Sequence, residues 1–266
     1  MNERIVPAND SLLAQIETWL DAEEAEYKKA HEAWEENHYE GRPPVRGFRC
    51  NWNIAKRWWQ EASQPIWVLI ADNEAVGFLV GDQILEVRPD LRRHERRYGR
   101  SLADHLARSF YDEGRSLAAI EITPSSAIPF WHRMGFTTVP GRESPNGLFA
   151  YKILRRTFEL GAGQRVAYSI EFLTPDGRYL DNPEPFSRFV GEGERLSDGA
   201  IQLSERAFCF RPQDDQHVDY FVRIELEGRV VHFDKAKREK SARLGLALDK
   251  GYIYFIDRIL PIAGQS

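Results

Sequence analysis

Apolar residues change their spacing several times along this chain, and each change marks a different element. The short run RIVPAND has strand character and offers Asp10 or Ser11 as the cap of a following helix. Leu12, Ile16 and Leu20 then recur every four positions, which places them on one side of that helix. It continues through DAEEAEYKKAHEAWEENH, where the dense charge predicts a solvated face, until the tandem prolines of GRPPVRG end it. NWNIAKRWWQEA is a second helix, capped by Asn51 or Asn53, with Ile54, Ala55, Trp58 and Trp59 spaced for packing. The pattern next becomes that of strands: PIWVLIAD and AVGFLVGD, joined by a tight turn at Asn73–Glu74, and then QILEVRP.

Leu102, Leu106 and Phe110 restore the four-residue interval, and Gly114 closes the helix they define. SLAAIEIT is a strand, SAIPFWHRMGF a short helix ending near Gly135, and TTVPGRESPNGLFAYKIL a hairpin turning at Pro145–Asn146–Gly147. Beyond Arg156 the texture shifts to β-branched and aromatic runs such as VAYSIEFL, DYFVRIELEG and GYIYFIDRIL. DKAKREKSARLGLAL is the one helix candidate there, and its basic DKAKREK run is expected to form a solvated turn. Two domains are therefore expected: an α/β (α+β) domain over 1–156, with a mixed, largely antiparallel sheet flanked by helices, and a β-rich domain over 157–266. The second should be an all-β sandwich or barrel of roughly five to eight strands.

Composition removes several alternatives. The 266 residues are 42% apolar and 29% charged, which describes a globular protein. A formal charge of −5 argues against general attraction to nucleic acid or anionic membrane. No apolar run approaches the ~18 residues of a membrane-spanning helix. Cys50 and Cys209 suggest free thiols in a reducing cytoplasm, with one long-range disulfide as the alternative. The seven histidines lack ligand spacing, so no metal site is expected. Phosphate-loop, dinucleotide-binding and serine-hydrolase motifs are absent.

One stretch carries candidate chemistry. Arg96, Arg97 and Arg100 surround Gly99 where the Leu102 helix begins. Like charges so crowded need either water or an anion, and helix N-termini attract phosphate through unpaired N–H groups. Gly99 removes the Cβ that would hold a ligand away, and the Ser101 hydroxyl can cap the helix or meet a phosphate oxygen. A solvated loop before an ordinary helix is the competing reading.

Two motifs stand in order around this loop. Val87-Arg88-Pro89 leads to Arg96-x-x-Gly99-x-Ser101, and Ala127-x-x-Phe130-Trp131-x-x-x-Gly135-Phe136 follows. With the element order they resemble the GNAT superfamily of acyl-CoA-dependent N-acyltransferases, over residues 1 to 156. The resemblance implies acetyl-CoA as cosubstrate and an amine of a small molecule or peptide as acceptor. It implies that Arg96, Arg97, Tyr98, Gly99, Arg100 and Ser101 form the pyrophosphate loop. Leu85 and Val87 would meet the pantetheine amides on a strand splayed from AAIEIT, and Phe130 and Trp131 would line the cofactor arm.

The chain also departs from the family pattern. The extra residues of DLRRHE should bulge the loop, and Pro124 replaces a frequent asparagine, with Ser125 and Ser126 as substitutes. Trp131 holds the position of the tyrosine that often protonates the thiolate, and indole is no acid near neutral pH. The general acid is thus unassigned, with Tyr98, His94 and His132 nearby in sequence. Glu86 is the candidate base, Glu121 a weaker one, and a structural pair between Glu86 and Arg88 or another surface cation the competing reading for the first. Expected alternatives are an acyl-CoA-binding sensor without turnover and an interaction protein, with a homodimer among the assemblies.

Overall fold

Asn9 begins the first helix: its extended backbone turns the side chain to accept from Leu12 N–H at 3.0 Å. The cap therefore precedes the expected Asp10 or Ser11, because it is Asn9 that leaves the helical conformation. The computed structural model describes residues 3–81, 84–92, 95–144, 147–180, 184–212, 218–249 and 253–261. Contacts group the chain into two compact units, Met1–Ser109 with Ile120–Phe136, and Phe110–Ala119 with Thr137–Ser266. This interleaved division does not use the change of texture at Arg156.

In the first unit, strands β1 (Arg4–Pro7), β2 (Ile66–Ala71), β3 (Glu74–Val80) and β4 (Ile84–Val87) form an antiparallel sheet in that order. The β2–β3 turn is Asp72–Asn73, one residue earlier than expected, with φ of 51° and 70° at its two residues. Both angles are left-handed, as a two-residue hairpin of this twist requires, and Asp and Asn tolerate them best after glycine. Helices α1 (Asp10–Glu36) and α2 (Arg49–Gln60) cover one face of this sheet. Leu12, Leu13, Ile16 and Leu20 of α1 and Trp52 and Ala55 of α2 are buried against Val68, Ile70, Phe78 and Val80. Helix α2 starts before the Asn51 and Asn53 caps expected, which lie inside it.

The inner stripe of α1 does not stop at Leu20. Glu24 is buried, and Arg46 clasps it through Nη2 at 2.6 Å and Nε at 3.2 Å. That hydrogen bond holds the Glu24 carboxyl below the usual carboxylate range. The charge of DAEEAEYKKAHEAWEENH is thus not all solvated: part of it locks the GRPPVRG segment to the helix.

The opposite face of the sheet carries α3 (Tyr98–Asp112). A Cβ on Gly77 of β3 would lie 3.0 Å from Leu102 Cδ1 and 2.8 Å from Glu86 O, so glycine permits this close approach. Trp67 and His105 meet edge to face on the same side at 5.1 Å. Gly114 ends the helix at φ 80°. The chain continues through β5 (Leu117–Ile122) and α4 (Ile128–Arg133), which a turn at Ser125–Ala127 precedes. Strands β6 (Thr137–Ser144) and β7 (Gly147–Ile153) form the expected hairpin; Pro145 and Asn146 lie outside the described residues. β5, β7 and β6 make a separate three-stranded sheet in that order.

The second unit also holds β8 (Gln164–Leu173), β9 (Ser187–Arg195), β10 (Ile201–Cys209), β11 (Phe221–Leu226), β12 (Arg229–Lys235), β13 (Ala247–Asp249) and β14 (Ile253–Ile259). These seven strands fall within the expected number and join in one antiparallel sheet, ordered β12-β11-β8-β9-β10-β14-β13. Alternate residues Val166, Tyr168, Ile170 and Phe172 of β8 enter its core with Leu203, Val222, Ile224 and Ile256. Tyr168 reaches Ser204 Oγ at 3.1 Å, and a Cβ on Gly191 of β9 would lie 2.9 Å from the Tyr168 hydroxyl. Helix α5 (Glu239–Arg243) is the short helix within DKAKREKSARLGLAL, and residues 236–238 just before it form a turn. Cys50 and Cys209 are both free.

Candidate functional site

Among the described residues no strand pairs with the far side of β4, which ends its sheet. The phase follows from one bond: Arg88 N–H donates to Val76 O at 2.9 Å. Glu86, opposite Phe78, and Ile84, opposite Val80, share that phase and direct N–H and C=O toward β3. Leu85 and Val87 therefore direct theirs outward. Val87 O accepts from Arg92 Nε at 3.1 Å. Side chains follow the same alternation: Glu86 lies on the α1/α2 face with Phe78, while Leu85 and Val87 lie on the α3 face.

The start of α3 approaches this edge. Arg97 adopts φ 54°, a left-handed conformation that costs an L-residue about 1–2 kcal/mol. Its carbonyl accepts from Arg100 N–H at 2.8 Å and Ser101 N–H at 3.3 Å, which closes the first turn. Among the described residues Gly99 N–H has no hydrogen-bond partner. A Cβ on Gly99 would lie 3.3 Å from Phe130 Cε2 and 3.7 Å from Val87 Cγ2. Three predicted site residues from β4, α3 and α4 thus converge. The space that glycine leaves faces Phe130 and Val87.

The arginine cluster is not an uncompensated patch. Arg96 Nη1 lies 2.7 Å from Asp72 Oδ2 at the hairpin tip and 3.2 Å from the Tyr98 hydroxyl. Arg100 lies 3.4 Å from Asp104, one helical turn on. Arg88 engages Glu74 at 2.8 Å and Asp90 at 2.9 Å. Carboxylates both near and distant in sequence thus supply countercharge to Arg96, Arg100 and Arg88. Arg97 is exposed and makes no ion pair among the described residues. The extra residues after Val87 form a single turn, Pro89–Leu91; Arg93 and His94 lie outside the described residues.

Glu86 meets Arg92, so the cation beside it is a surface arginine other than Arg88. Arg92 Nη2 lies 3.4 Å from Glu86 Oε2 and 2.8 Å from Glu23 Oε1 of α1. Burial pushes the Glu86 carboxyl up to about 7; Arg92 opposes this and the nearby Glu23 charge reinforces it. A carboxyl that changes charge near neutrality suits a proton acceptor. Glu23, Arg92 and Asp72 escaped sequence reasoning. The one available signal was the four-residue stripe of α1, which continues from Leu20 to Glu24 beside Glu23.

Trp131 is buried in α4 between Phe130, at 5.1 Å, and Phe136, at 5.0 Å, with both rings edge to face. Those contacts give it a packing role, and no acid occupies that position. The Tyr98 side chain is buried, whereas His132 and Glu121 are exposed. Ser125 and Ser126, also exposed, occupy the turn before α4. Among the described residues no group of three or more His, Cys, Asp or Glu side chains is arranged to hold a metal, and no helix is long and apolar enough to cross a membrane.

No sequence model of a known family matches the chain, and no curated protein sequence does. Solved structures do match. A GNAT-family acetyltransferase from Staphylococcus aureus is 13% identical, covering 57% of this chain and 99% of its own, at TM-score 0.39. An acetyltransferase from Streptococcus agalactiae is 14% identical, over 57% of this chain and 98% of its own, at TM-score 0.37. The PaiA N-acetyltransferase from Thermoplasma acidophilum, solved with coenzyme A, is 13% identical over 58% of this chain and 100% of its own, at TM-score 0.39. Each of these three matches covers rather more than half of this chain.

Proposed function

We propose that this chain is an N-acetyltransferase that moves an acetyl group from acetyl-CoA to an amine by direct attack on the thioester. One observation carries the reading: the open backbone edge at Leu85 and Val87 converges with the glycine at the start of α3 and with Phe130 of α4. The residues present fit the cosubstrate. Gly99 N–H, unpartnered among the described residues, suits a diphosphate oxygen, and Arg97 adds an exposed positive charge. Leu85 offers its outward N–H and C=O, and Val87 its outward N–H, to the acyl-bearing arm, while Val87 O is held by Arg92 Nε. Arg96, Tyr98, Arg100 and Ser101 shape the loop, with Arg96 held by Asp72.

The bound thioester supplies an acyl carbon activated toward a nitrogen nucleophile. Glu86 accepts the proton of the incoming ammonium, directly or through water. Val87 N–H donates to the oxygen that gains charge during attack. Trp131 leaves the departing sulfur without a tyrosine donor, so the thiolate leaves unprotonated or takes a proton from solvent. The acceptor is an amine of a small molecule or peptide, and the setting is the cytoplasm, without nucleic acid or membrane as partner. In this scheme residues 1–156 carry the chemistry, while 157–266 narrow the choice of acceptor or mediate assembly as a homodimer.

Thiol release from acetyl-CoA, measured with purified protein across a panel of amines, tests the proposal. Amine-dependent release that disappears in Glu86→Gln is expected. Saturable acetyl-CoA binding with no thiol release from any amine would favour the second reading, an acyl-CoA sensor without turnover, which the packing role of Trp131 supports.

A further inference from the structure

We propose that Arg92, held between Glu23 and Glu86, is a positioning residue that sets the charge on Glu86, and that Glu23 tunes Glu86 in the opposite sense. The inference rests on the acetyltransferase reading only for its catalytic consequence; the charge coupling itself is a property of the protein without ligand. Three features of the geometry support it. The two carboxylates form a largely buried floor, with side-chain exposures of 13% for Glu23 and 25% for Glu86, while Arg92 is 45% exposed above them. Its grip is unequal. The 2.8 Å contact with Glu23 is an ordinary charge-assisted hydrogen bond, whereas the 3.4 Å contact with Glu86 is long for one. Arg92 Nε, anchored to Val87 O at 3.1 Å, prevents the guanidinium from following one carboxylate away from the other.

Glu86 therefore has acceptor capacity left for an ammonium, and Glu23 keeps Arg92 from filling it. An Arg92 drawn fully onto Glu86 would hold it ionised but occupied. Without Arg92, two like charges would share a poorly solvated spot, and Glu86 would hold its proton. With Glu86 ionised, the three groups carry one net negative charge, which matches a single alkylammonium.

Among the described residues, cations of the neighbouring strands and helices are already engaged. The neighbour of Glu86 across the sheet is Phe78, and Ile84 precedes it on the same face. Arg88 turns to Glu74 and Asp90, Arg46 to Glu24, and Arg49 and Lys56 of α2 to Asp21 and Glu17. Arg93 and His94 lie outside the described residues.

The test is a carbon-13 NMR titration of glutamate-labelled protein without ligand, with the Glu86 resonance assigned by its loss in Glu86→Gln. The Glu86 midpoint should rise by about one pH unit or more in Arg92→Gln and fall in Glu23→Gln. Arg92→Gln/Glu23→Gln should lie between the two. Midpoints that stay fixed, or move in the same direction in both single variants, would overturn the inference, because generalised loosening of the fold cannot produce opposite signs. If any amine supports thiol release, the acid limb of its pH–rate profile should follow the NMR midpoints. Shifting midpoints without turnover would leave the charge coupling standing and sink the acetyltransferase reading alone. Turnover with an unmoved acid limb would do the reverse.

Discussion

Replacing Glu86 with glutamine should stabilise the unit that contains it at alkaline pH and change it little at acid pH. Burial raises the Glu86 carboxyl from its ordinary 4.5 to about 7, so between those values the folded chain holds a proton that the unfolded chain has released. Stability must then fall as pH rises through that window, the reverse of the usual carboxylate behaviour. The interval is roughly 2.5 pH units, and at 1.36 kcal/mol per unit it is worth about 3 kcal/mol. Solvent reaching the quarter-exposed side chain makes this an upper bound. The gain from Glu86→Gln should grow from under about 1 kcal/mol at pH 5 to about 2–3 kcal/mol at pH 8. All seven tryptophans fall between Trp19 and Trp131, within the unit made of Met1–Ser109 and Ile120–Phe136. Urea unfolding followed by tryptophan fluorescence therefore reports this unit. A variant less stable than the parent at pH 8, or changed equally at both pH values, would refute the reasoning. Glu86 would then be an ordinary ionised partner of Arg92.

Further outcomes follow from contacts elsewhere. Arg206, buried in the β-rich unit, grips Asp257 through Nε at 2.7 Å and Nη2 at 2.6 Å, and Nη1 donates to Gly114 O and Ser116 Oγ. Arg206→Met should cost about 3–5 kcal/mol in chemical unfolding followed by β-sheet circular dichroism, and adding Asp257→Leu should recover part of it. Asn9→Ala removes the α1 cap and should cost about 1 kcal/mol by tryptophan-monitored unfolding. Gly191→Ala puts a methyl group 2.9 Å from the Tyr168 hydroxyl and 3.0 Å from Ser204 Oγ, and should cost about 1–3 kcal/mol in the circular-dichroism assay.

Periodicity made most elements legible: the fours of Leu102, Leu106 and Phe110 gave α3, and the alternation in VAYSIEFL gave β8. The α1 cap and the β2–β3 turn slipped by one or two residues, because Asn9 against Asp10, or Asp72 against Glu74, differ in backbone angles more than in chemistry; α2 began further ahead of Asn51 and Asn53. The candidate site was legible only where its residues are local in sequence. Gly99 and the Phe130 segment could be named, but not that Gly99 would face Phe130. Electrostatic partners were hidden for the same reason: Asp72 lies 24 residues from Arg96, and Glu23 lies 69 from Arg92. Local counting therefore saw an arginine patch where folding brings carboxylates to it. The strand order of the seven-stranded sheet is not sequential, and strand patterns alone do not encode it.

Calorimetric titration of acetyl-CoA into the parent protein and into Gly99→Val tests most directly whether the start of α3 and the open β4 edge hold the cosubstrate. The valine side chain would press on Phe130 and Val87, where even a Cβ would come within 3.3 Å of the ring. Saturable binding by the parent, weakened at least ~10-fold in a variant whose tryptophan spectrum shows it folded, is the predicted result; that loss corresponds to about 1.4 kcal/mol. No binding by the parent, or undiminished affinity in the folded variant, would contradict the account.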